Sequence, residues 1–167
     1  MYLVPFVQFF EEQGIAETRT ITIRLHDALP DDEYGLVEAY CVDPGCDCRR
    51  VMLNVMARRQ KKQLATISFA FDRSGEMAGP FLDPLNPQSR YAEDLMALVV
   101  KVALTDRHYV ARLESHYYQV KRAVADPNHP VHEILSQTGI GGKYGRRKKI
   151  KRRGKLSRSS LKHKRPV

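Results

Sequence analysis

Three cysteines fall within eight positions of the stretch "YCVDPGCDCRR" (residues 40–50), as Cys41, Cys46 and Cys48 in a C-x4-C-x-C pattern. They are the only cysteines in the 167-residue chain. Thiolates are soft donors that select zinc, Cu(I) or iron–sulfur over hard cations. Val42-Asp43-Pro44-Gly45 has the length and composition of a tight hairpin loop, with turn formers at its centre. Closing that loop sets Cys41 opposite Cys46, and two residues further along the strand Cys48 shares a face with Cys46. The three sulfurs then converge on a volume suited to Zn–S bonds of about 2.3 Å. Zinc is the expected ion, since three cysteines cannot supply a four-thiolate cluster. Other readings stay open: a Cys41–Cys46 disulfide, a redox centre (although C-x-x-C at a helix start is absent), or buried thiols without a ligand.

A closed structural zinc needs a fourth donor, and six histidines are available. His116, in "LESHYYQVK", sits on the shoulder of an apolar helical stripe and ranks first. His26, at the end of a strand, ranks second, ahead of water or a carboxylate. Arg49 and Arg50 follow the cysteines and can offset the negative charge of a thiolate-rich site. Support for catalysis is thin. "TGIGGKYGRRKK" lacks the spacing of a phosphate-binding loop, and no G-x-S-x-G occurs. For an enzyme, the mechanism to test is a zinc hydrolase with an open metal position, three ligands holding an activated water and His116 acting as base rather than ligand.

The elements that must hold these residues follow from periodicity. "TRTITIRL" (18–25) alternates, with Ile21, Ile23 and Leu25 on one face, as a half-buried strand does. "YGLVEAYC" (34–41), "RVMLNVMA" (50–57) and "QLATISFAF" (63–71) read as three further strands with short connections. Phe6–Gln13 suits a short helix. Asn86-Pro87 suits a helix start, with Tyr91, Leu95, Leu98, Val99 and Val102 at helical spacing through about Leu104. Thr105 can cap the next helix, whose stripe is Val110, Leu113, Tyr117, Val120 and Val124. Residues 131–137 add a further turn or two. The expectation is an α+β fold: an antiparallel four-stranded meander packed with two C-terminal helices, forming a zinc-binding domain over residues 1–142.

Charge divides the chain. Of 28 Lys and Arg, thirteen lie in residues 143–167, which contain no acid; fifteen basic and nineteen acidic residues remain in 1–142, a net of −4. A polycation with little to bury is expected to be a disordered tail. Lys143, Arg146, Arg147, Lys148, Lys149, Lys151, Arg152, Arg153 and Lys155 are the candidate nucleic-acid contacts, since such segments attract RNA or DNA phosphates without reading sequence. Lipid binding lacks the apolar anchors it needs. The apolar start spans only about ten residues against the roughly 20 of a membrane span. It has no basic leader or cleavage signal. A cytoplasmic protein without a membrane segment is therefore expected, in a compartment where clustered cysteines bind metal more often than they form bridges.

"LPDDEYGLVEAYCVDPGCDCRRVMLNV", "DPLNPQSRYAEDLMALV" and "LESHYYQVK" together resemble a family of uncharacterised bacterial proteins. Its members pair a cysteine-bearing β-meander with helices that contain an N-x-Q-S segment and a His-Tyr pair. Some members end in the cysteine-rich metal-binding motif found at the end of the SecA translocation motor. That motif is absent here: the basic tail stands in its place. The resemblance spans about residues 20–122 and implies that Cys41, Cys46, Cys48 and His116 fall on recurring positions. It implies no activity. The expected function is that of a non-enzymatic structural-zinc protein binding RNA or DNA through its tail, with the zinc hydrolase and a protein–protein adaptor as alternatives.

Overall fold

A computed structural model describes residues 2–72, 74 and 77–137. The basic tail, with every nucleic-acid contact expected from the sequence, lies outside them. The order of elements is β1 (Leu3–Pro5), a 3-10 turn (Phe6–Gln8), α1 (Glu11–Glu17), β2 (Arg19–Ile23), β3 (Asp32–Cys41), β4 (Arg50–Ala57), β5 (Lys62–Ala70), β6 (Phe81–Leu82), α2 (Ala92–Val99), a π-helical turn (Val100–Leu104), α3 (Arg107–Ala125) and α4 (Val131–Gln137). This is an α+β architecture, with six strands in one antiparallel sheet rather than the four expected.

The meander β2-β3-β4-β5 runs as periodicity predicts. Two fragments extend it. β1 and β2 pair with different stretches of β3, Ala39–Cys41 and Asp32–Leu36, while β4 takes the other edge. β6 adds two residues to the outer edge of β5. Tyr34, Leu36, Glu38 and Tyr40 of β3 share a face with Val51, Leu53 and Val55 of β4 and Ala65 and Ile67 of β5. All are buried, in a core shared with Leu95 of α2 and Leu113, Tyr117 and Val120 of α3. Burial of apolar side chains, worth roughly 1.5–3 kcal/mol each before chain entropy is counted, therefore binds α2 and α3 to one face of the sheet.

Several local expectations are corrected. Leu25 does not continue the first strand: its φ is 56° and it is 94% exposed, because the chain turns toward Asp31, whose carboxylate accepts the Leu25 N–H. Asp106, not Thr105, caps α3, with its carboxylate accepting from the backbone N–H of His108 and Tyr109. Thr105 instead bonds back to the Lys101 carbonyl. Asn86-Pro87 does not start α2, which begins at Ala92. The N-x-Q-S segment does a different job. Gln88 accepts the Thr66 N–H at 3.0 Å and donates to the Thr66 and Asp83 carbonyls at 3.1 and 2.8 Å. Ser89 N–H bonds to the Leu64 carbonyl at 2.9 Å. The segment continues the β5 edge where β6 ends.

Candidate metal centre

β3 ends at Cys41 and β4 begins at Arg50, so Cys46 and Cys48 are not on a strand. The hairpin loop is longer than expected, at eight residues. It contains a turn closed by Cys46 N–H on the Asp43 carbonyl at 3.1 Å, with the Asp43 carboxylate accepting the Gly45 N–H at 3.0 Å. Arg49, with φ 41°, redirects the chain into β4. Cys41 is fixed from the other side: it pairs with Leu3 of β1, and the next residue, Val42, donates to the Tyr2 carbonyl at 2.9 Å. The turn gathers the three sulfurs, which all lie within 4.8 Å of one another and can hold a metal ion. Cys41 is buried, while Cys46 and Cys48 are half-buried, so the group sits at the end of the sheet with one side toward solvent.

α3 holds the loop through Lys121. Its ammonium donates to the Asp43 carbonyl at 2.9 Å and the Cys46 carbonyl at 2.5 Å, clamping both ends of the turn, and sits 5.6 Å from the Tyr117 ring centroid. The arginines expected to offset the thiolates are engaged elsewhere. Arg49 pairs with Glu114 at 3.0 Å, and Arg50 donates to Ser68 and the Met77 carbonyl. The cation at the sulfurs is Lys121, missed because it lies 75 residues beyond Cys46.

Without an ion the thiols share protons. Hydrogen bonding from Cys48 is the main reason that Cys41 is lowered to about 5, helped by the Asp43 backbone N–H, Cys46 and the charge of Lys121. Cys48 moves the opposite way, because it donates to Cys41 and is partly buried. The pair thus favours one thiolate and one thiol.

His116, expected as the fourth donor, is not brought to the cysteines. It is 1% exposed, with Nδ1 2.7 Å from Glu38 Oε2 and Nε2 2.7 Å from Glu17 Oε2. The reason is axial position: α3 rises about 1.5 Å per residue, so His116 lies over Glu38 while Lys121, over a turn later, reaches the loop. His26 is also elsewhere, with Nδ1 accepting the Ala28 and Leu29 N–H groups in the β2–β3 connection. Among the described residues the clustered donors are the three cysteines alone. Glu38 is the polar residue that the sequence reading passed over. Its signal was present: a carboxylate in step with Leu36 and Tyr40 on a buried strand face requires a partner.

No described helix is long and apolar enough to cross a membrane. Comparison of the chain with protein-family models, curated proteins and solved structures finds no match.

Proposed function

We propose that this chain is a cytoplasmic metal-binding protein whose Cys41, Cys46 and Cys48 hold zinc in a structural role, and whose residues 143–167 bind RNA or DNA phosphates. The observation that carries the metal reading is the mutual approach of three sulfurs within 4.8 Å. In tetrahedral coordination, Zn–S bonds of about 2.3 Å set neighbouring sulfurs about 3.8 Å apart. A cation also resolves the electrostatics of the cluster: the proton that Cys48 keeps while Cys41 is a thiolate can be released when both sulfurs bind a divalent ion. In this role zinc staples the loop between β3 and β4 beneath α3. The family resemblance belongs to the same proposal and is supported by the cysteine spacing.

Elemental analysis of the purified protein tests the centre. About one zinc per chain is expected, lost in Cys46→Ser and kept in His116→Gln; a wild-type protein without bound metal after zinc loading and desalting overturns the reading. Deleting residues 143–167 is expected to abolish salt-sensitive binding to RNA and DNA while leaving zinc bound. Unchanged binding by the truncated protein overturns the assignment of the tail.

Three clustered protein donors are also the ligand count of catalytic zinc sites, which keep a fourth position for water. That is the observation favouring a hydrolase as a second reading. X-ray absorption of the zinc-loaded protein separates the two: an oxygen beside three sulfurs is expected for an open position, and a fourth protein donor removes it.

A further inference from the structure

Away from the cysteines, both ring nitrogens of His116 face carboxylates on different elements, Glu38 in β3 and Glu17 at the end of α1, each at 2.7 Å. A nitrogen–oxygen contact of that length holds a proton between the two atoms. The closed arrangement therefore contains two protons among three groups, whichever atom carries each. Remove one proton and a nitrogen lone pair faces a carboxylate oxygen. The Phe6 ring, stacked on the imidazole at 4.0 Å and 7°, favours the cationic ring over the neutral one.

The two contacts differ in how easily they yield. Glu38 lies mid-strand, with its side chain 5% exposed, and also accepts the Tyr40 hydroxyl at 2.8 Å. Glu17 has its side chain 35% exposed and ends a seven-residue helix whose one buried residue is Gly14. Few other contacts hold that end. Arg112 donates to the Glu17 carbonyl at 2.9 Å, and the Gln13 amide donates to Glu17 Oε2 at 3.1 Å while its nitrogen also lies 3.3 Å from His116 Nε2. Beneath them is a cavity of about 10 Å³, lined by Phe6, Val37, Glu38 and His116 among others. That is about the space one water needs.

We propose that α1 is a proton-operated latch. It is docked while the Glu17–His116–Glu38 chain holds both protons, and it swings free at its Glu17 end when one proton leaves. The groups facing the ring from each neighbouring element fit this assignment. α1 supplies Glu17 and the neutral Gln13, and β3 supplies Glu38 and Tyr40. The 3-10 turn supplies only Phe6, and α3 itself supplies Arg112, whose guanidinium lies against the Tyr109 ring. Opening exposes a carboxylate–histidine pair at the mouth of the cavity.

Hydrogen exchange of the full-length protein, corrected for intrinsic rates, tests the latch between about pH 5.5 and 8.5, the range in which imidazole changes charge. Protection of residues 11–18 is expected to fall roughly tenfold or more as pH rises, the effect of losing one charged hydrogen bond, while β4 stays constant. Glu17→Gln should remove this dependence, because no carboxylate then faces Nε2. The proposal is overturned if α1 and β4 respond alike to pH, or if Glu17→Gln retains the wild-type dependence.

Discussion

Replacing Lys121 with methionine keeps the length and most of the volume of the side chain while removing its charge and donors. The loss is local: two hydrogen bonds, to the Asp43 and Cys46 carbonyls, which together close the cysteine loop from above. Each bond from a charged donor contributes about 1.5–3 kcal/mol when shielded from water, and less here because Lys121 is only half-buried. A net of about 2 kcal/mol for the pair is reasonable, and most of it acts by holding the loop in its binding shape before the ion arrives. At 1.4 kcal/mol per tenfold, zinc affinity should fall roughly 30-fold. Lys121→Arg, which retains charge with a different donor geometry, should fall between the two. The assay is competition for zinc against a chromophoric chelator at fixed pH, with cobalt spectra to confirm that the sulfurs still bind. If Lys121→Met binds zinc as tightly as the wild type, the clamp does not organise the site.

The metal-free protein should respond to pH through Cys41, whose thiol is lowered to about 5 from an ordinary value of 9.0. A depressed acid stabilises the fold above its unfolded value and loses that contribution as pH falls. Urea stability under chelator should thus decline from about pH 9 toward pH 5, and Cys41→Ser should flatten the slope; an unchanged slope refutes the assignment. Gln88→Ala leaves the N–H and carbonyl of Thr66, a residue 1% exposed, without their side-chain partner. Stability should fall by about 1–3 kcal/mol, read as a shift in the urea midpoint without loss of zinc, and a shift below about 0.5 kcal/mol would refute the edge-completing role.

The cysteine group was legible because its members are close in sequence and a Pro-Gly turn lies between them. The meander was legible from alternation in its first strand and from apolar runs joined by short polar connections in the rest. What escaped depends on contacts distant in sequence. Leu3–Pro5 has too few residues for periodicity to register, and Pro5 hides it further; it becomes a strand by pairing with Ala39–Cys41. Leu113, Tyr117 and Val120 locate the inward stripe of α3, where Tyr109 rather than the expected Val110 is buried, but the stripe does not tell how far along the sheet each turn lands. His116 was therefore assigned to the cysteines when it meets Glu38, and Lys121 was not singled out. Leu25 shows the converse error, a pattern that outlasts the strand carrying it.

The sheet's outer members are fragments of three, five and two residues, with Pro5 inside one of them. Among the described residues, a stray strand from another chain meets only short sheet edges, one of them holding a proline, which make a poor template to add to. This protection against aggregation resides in pieces that contribute little to the core. Damage to them, more than damage to the interior, should first appear as self-association at high concentration.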